Sequence, residues 1–385
     1  MIMKKVVLLF ALITSIVRVE GVASCTVLRN LRTGKSVLLL GDHHELMGSN
    51  HEQLKSCNEF GITEFVKKCF AAEQNSLLSW CVANKKRVDI IFECKDFSAE
   101  ELRRYETSSY ENLAGTFLKL MQYRNMLRTC NYDCEKGLIT LLPYELRGQE
   151  CDFIRDIVPA LINAKRDVFT KDPLFYDLQL FFEKSQSWKR MVESVREGEE
   201  YHLSLPGRSI ISCHCYLERM KKYSSLIWDR RRLLPIDSPE FKLILLFLHG
   251  LNKSVEEAAV LIRQYNPDLS VSIYTGILNI IEGSKSFDLL GRLELLLIKN
   301  CDGFFADIAY FLEVLESQMR RDRTILIVGT DHVKSLTAFL KCIGYEIKSD
   351  WEIPKQELSD GRVATVFNLE EVEKNILLAV DKLCE

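Results

Sequence analysis

Hydrophobic positions in this chain fall into short dense runs separated by longer amphipathic stretches, the rhythm of a sheet interleaved with helices. Cys25-Thr26-Val27-Leu28-Arg29 alternates as a strand, and Thr33-Gly34-Lys35 turns it into the nearly continuous apolar run Ser36 to Leu40. Such a run predicts a strand buried on both faces. Helical spacing fills residues 50 to 86, with Leu54, Phe60, Phe65, Val66 and Phe70 among its apolar positions. Two further short runs, Val88 to Glu93 and Leu138 to Leu142, read as strands. A helix beginning near Ser98-Ala99-Glu100-Glu101 and running through the 110s and 120s lies between them. Toward the carboxyl end, a helix over Phe304 to Met319 leads into the strand Thr324 to Val328. A helix from Val333 to Cys342 then stops at Gly344, and Tyr345-Glu346-Ile347 supplies a last strand. Strand, helix, strand in repeated alternation predicts an α/β fold with a mostly parallel central sheet flanked by helices.

Between about 150 and 320 the pattern changes to long amphipathic and apolar segments, such as Phe241 to Leu248 and Leu289 to Leu297. Breaks fall at Pro206-Gly207, Pro235, Pro239, Asn266-Pro267 and Gly283. This region predicts a large helical insertion or cap. The expected organisation is a signal peptide over 1–23, a first core part over 24–155, the helical part over 156–300, and a second core part over 301–385. The signal is read from a basic start at Met1 to Lys5, the apolar run Val6 to Val17, and small residues at Gly21, Ala23 and Ser24, with cleavage after Ala23. The run is too short for a membrane span. Export to the periplasm or the outside follows. Val22-Ala23-Ser24-Cys25 also resembles a lipobox, so a lipid anchor on Cys25 is the alternative.

With 385 residues, 47% of them hydrophobic and 27% charged, the chain is long enough for a sizeable core. The net charge of −3 comes without a basic stripe, which argues against a nucleic-acid partner. Thirteen cysteines at scattered spacings are read as small buried side chains or local disulfides. Cys130-x-x-x-Cys134 and Cys213-His214-Cys215 lack the second half a zinc ribbon needs.

The candidate chemistry sits where strands end. In a parallel sheet, loops at the carboxyl ends of the strands converge over a crevice. Four strands end there in polar groups: Asp42-His43-His44-Glu45, Glu93, Glu145-Leu146-Arg147 and Asp331-His332. Two of these ends share a spacing, Gly41-Asp42-His43-His44 and Gly329-Thr330-Asp331-His332. With 18 glycines and 7 histidines, chance supplies roughly a third of one Gly-x-x-His per chain. A third copy, Gly48 to His51, follows no strand and is read as chance. The repeated placement after apolar runs therefore carries the argument. The glycines are expected to let the chain turn sharply off the strand. His44, Glu93, Arg147 and His332 form the candidate site, with His44, Glu93, His332 and His43 as candidate metal ligands. Imidazole and carboxylate can hold a divalent ion such as Mn, Co, Zn or Fe with a water in the open position. They can equally act as base and acid without one. Arg147 would stabilise charge on a tetrahedral intermediate. The plain alternatives are a salt bridge from Glu93 to Lys95, and from Arg147 to Glu145 or Glu150.

These motifs resemble a superfamily comprising the TraB/TIKI proteins, the ChaN-like haem-binding lipoproteins and the erythromycin-esterase-like hydrolases. The resemblance rests on Gly41 to His44, on Gly329 to His332 followed by Leu336, Leu340 and Gly344-Tyr345, on Glu93 as the strand-end glutamate, and on Glu145-Leu146-Arg147. It covers about the first 150 and last 80 residues. It implies hydrolysis of a peptide or small-molecule ester, through metal-activated water or without metal. It also admits haem, iron or peptide binding without turnover. A further reading is a paralogue without activity whose helical region mediates protein contacts.

Overall fold

A computed structural model describes residues 22–42, 62–71, 76–97, 102, 115–147, 154, 157–168, 178–204, 211–353, 355–357, 363–365 and 369–385. The chain divides into two compact units, residues 1–145 with 313–385, and residues 146–312.

The first unit is built on a six-stranded sheet. Its strands are β1 (Val22–Asn30), β2 (Ser36–Asp42), β3 (Val88–Phe92), β4 (Ile139–Pro143), β5 (Arg323–Gly329) and β6 (Tyr345–Glu352), in the order β4-β3-β5-β2-β1-β6. The α/β class read from the sequence is the class observed. Strands β4, β3, β5 and β2 run parallel, and β1 is antiparallel to both its neighbours. The β1–β2 hairpin closes as its composition predicts. Asn30 Oδ1 accepts the N–H groups of Arg32 and Thr33, and Gly34 takes φ +70°, which costs a residue without Cβ little.

Alternate residues of the buried strands feed two faces. Leu38, Leu40, Ile90, Phe92, Ile325 and Ile327 pack with helices α1 (Ile62–Phe70), α2 (Leu77–Asn84), α3 (Gly115–Thr129) and, at the carboxyl end, Leu369–Cys384. On the other face, α11 (Thr330–Cys342, numbered after the seven helices that intervene) buries Val333, Leu336 and Leu340. The amino-terminal ends of the strands carry a polar rung. Asp89 pairs in register with Thr140 and with Thr324. Its carboxylate accepts Thr140 Oγ1 at 2.7 Å, Ser317 Oγ at 2.8 Å and Arg321 Nε at 3.0 Å.

The second unit is helical. It contains α4 (Val158–Val168), α5 (Leu178–Ser204), α6 (Cys213–Arg230), α7 (Pro239–Tyr265), α8 (Ile273–Gly283), α9 (Phe287–Leu293), a π-helical stretch Glu294–Phe304, and the first half of α10 (Phe305–Arg320). Serine caps are placed where the breaks fall: Ser212, Ser238, Ser272 and Ser286 each accept a backbone N–H from the first turn that follows. No described helix is long and apolar enough to cross a membrane.

Three boundaries differ from the reading of the sequence. β1 begins at Val22, because Val22 pairs with Asp42 and Ala23 O accepts the Ile353 N–H at 2.8 Å. The strand thus includes the last two residues assigned to the leader, and Cys25 lies inside it, 1% exposed. The helix after β5 starts at Thr330 instead of Val333, directly off the strand. β6 extends to Glu352, since its exposed polar residues hide a strand paired along only one edge. All eleven described cysteines are free thiols, seven of them buried.

Candidate functional site

The parallel register brings the carboxyl ends of β2, β3 and β5 level. Asp42 lies opposite Gly329, and Phe92 lies opposite Ile327, so Glu93 follows one step beyond the paired strand. There the Glu93 N–H donates to Ile327 O at 3.0 Å, and Glu93 Oε2 accepts the Gly329 N–H at 2.9 Å. Gly329 is the N-cap of α11, and no side chain of its own caps the helix. The Glu93 carboxylate therefore meets an N–H at the positive end of a helix, where negative charge is stabilised. Beside it, Thr330 Oγ1 donates to Asp42 O at 3.0 Å and locks the end of β2 to the same helix start.

Gly41 explains why no side chain fits before Asp42. A Cβ there would stand 2.2 Å from Ser24 Oγ and 3.1 Å from the Thr330 backbone. Gly329 has φ −57° and ψ 146°, ordinary for any residue, so its freedom to turn is not what starts the helix. The expectation of glycine hinges is corrected to close packing at Gly41 and a helix cap at Gly329.

His332 is half-buried in the first turn of α11, two residues beyond Thr330. His43 and His44 lie outside the described residues, immediately after Asp42, whose side chain is 1% exposed. Glu93, Asp42, Thr330 and His332 thus belong to one cluster of strand and helix ends. Arg147 belongs to the second unit. It is 5% exposed, donates to Tyr310 Oη at 3.2 Å, and stands 3.7 Å from the buried Asp302 carboxylate, while Glu150 lies outside the described residues. Asp302 sits in the π-helical stretch, a form common at functional sites.

Among the described residues no three His, Cys, Asp or Glu side chains are grouped closely enough to hold a metal ion. Sequence reasoning missed Thr330 as a tie between strands. A hydroxyl directly after the strand-end glycine was the available signal. No family model, curated protein or solved structure matches this chain.

Proposed function

We propose that this chain is an exported hydrolase of the TraB/TIKI-like kind, cleaving a peptide or ester bond at the carboxyl ends of β2, β3 and β5. The observation that carries the reading is the 2.9 Å hydrogen bond from Gly329 N–H to Glu93, which fixes a carboxylate at the helix start that bears His332. Asp42, locked to the same helix start, leads directly into His43 and His44.

In this reading neutral imidazole, from His332 or His44, takes a proton from water as its oxygen attacks the substrate carbonyl. The imidazolium then returns the proton to the leaving amine or alkoxide. Glu93, held by a backbone donor, offsets the imidazolium charge and orients the ring. Arg147 stays outside the proposed chemistry, because Asp302 meets its charge within the second unit. The apolar run Val6 to Val17 supports export.

The test is hydrolysis of 4-nitrophenyl acetate and of a fluorogenic peptide mixture by purified protein, in EDTA and with added Mn²⁺ or Co²⁺. The reading expects turnover that falls about 10²-fold or more in H332A. Absence of turnover in every condition, or wild-type rates in H332A and H44A, would overturn it.

A further inference from the structure

We infer that a second polar cleft in the first unit, away from the strand-end cluster, binds a small multi-oxygen anion, a phosphate or a polycarboxylate. The cleft has a volume of about 380 Å³ and is lined by Asp89, Asp96, Arg124, Glu135, Arg320 and Arg321, with Leu142 and Pro143 of β4 as its apolar wall.

The lining holds three carboxylates and three guanidiniums, but they are not paired one to one within it. Each carboxylate in the cleft already has its own guanidinium: Asp89 with Arg321 at 3.0 Å, Asp96 with Arg124 at 2.6 Å, and Glu135 with Arg128 at 2.7 Å. Arg320 is left over. It is exposed at the end of α10 and has no ion pair among the described residues. Its neighbour Arg321 uses Nε on Asp89, while its two terminal nitrogens make no hydrogen bond among the described residues. Two adjacent guanidiniums thus present unused donors to one concave surface, the arrangement that recognises carboxylate or phosphate oxygens.

Arg124 adds a second observation. It is 2% exposed, yet its Nε has no hydrogen-bond partner. Arg124 bridges Asp96 at 2.6 Å and Glu135 at 3.5 Å, so its terminal nitrogens pair with both of these carboxylates. Asp89 is turned inward by Thr140 and Ser317. Every carboxylate of the lining thus already has a partner, and the donors left unused are those of Arg320 and Arg321.

The test is calorimetric titration of the full chain with sodium phosphate and, separately, sodium citrate, with sodium chloride at matched ionic strength as control. The inference expects saturable binding of at least one of the two, weakened about tenfold or more in R320A. R320A alters an exposed side chain, so its chloride melting temperature should match wild type. Saturation by phosphate alone assigns a phosphate ligand, and by citrate alone a polycarboxylate. Heats equal to those of chloride, or binding unchanged in R320A, overturn the inference.

Discussion

Asp89 shows what a single polar residue does inside this sheet. It occupies the second position of β3 with 1% exposure, and three donors from β4, α10 and the turn before β5 converge on it. Ser317 also bonds Thr324 at 2.7 Å, and Gln318 Nε2 reaches both Thr324 and the Ser36 carbonyl, so the rung stitches four parallel strands. Replacing Asp89 by alanine takes the carboxylate partner from Arg321 and the acceptor from two buried hydroxyls. D89A should cost about 3–5 kcal/mol in urea unfolding, and D89N distinctly less. In the sequence Asp89 was only one polar letter in an apolar run. Its partners became legible through register, which placed Asp89, Thr140 and Thr324 side by side.

The thiols give a second prediction at this scale. Burial pushes the thiols of Cys81, Cys94 and Cys301 up to about 12. In the unfolded chain they ionise near about 8.5. Between these values the unfolded state gives up protons that the folded state keeps, so stability is full below pH ~8.5 and falls as pH rises toward ~12. The slope is on the order of 1 kcal/mol per pH unit for each thiol. Denaturation midpoints measured from pH 7 to 10.5 should decline above pH ~9, and replacing the three with alanine or serine should flatten that decline. At neutral pH, iodoacetamide should label exposed Cys130, Cys215 and Cys342 before any of the seven buried thiols.

Among the elements, the strand-to-helix junction at β5 and α11 is where pattern and structure part most. The apolar positions of α11 are Val333, Leu336 and Leu340, so periodicity starts the helix late. Its first turn is polar, and what begins it is tertiary: the Glu93 carboxylate on the Gly329 N–H and the Thr330 hydroxyl on Asp42 O. Neither bond can be read from local sequence. The glycine before Asp42 was legible as a residue and misread as a hinge, because close approach to β1 and α11 depends on chains distant in sequence. G41A should therefore destabilise by about 1–3 kcal/mol through crowding against Ser24 and Thr330. The double variant G41A/S24G, measured in the same melts, should recover part of that loss.

At the scale of the whole molecule, the class of the first unit was legible because buried parallel strands write themselves as dense apolar runs. Strand β6 was half-legible, since only Tyr345 of its first residues is buried. The helical unit announced itself by length and by Pro and Gly punctuation, while its ion pair of Arg147 with Asp302 links residues more than 150 apart in sequence. Sequence placed His44, Glu93 and His332 at strand ends. The geometry adds that Glu93 and the helix of His332 are bonded to each other.

The central claim is that both Gly-x-x-His sequences serve one site, and a double-mutant cycle on turnover tests it most directly. H44A, H332A and H44A/H332A are compared with wild type on 4-nitrophenyl acetate and the peptide mixture, in the metal condition that supports turnover. One shared site predicts that each single change costs about 10²-fold or more and that the double costs little beyond either. Independent, multiplying losses, or full activity in either single variant, would contradict it.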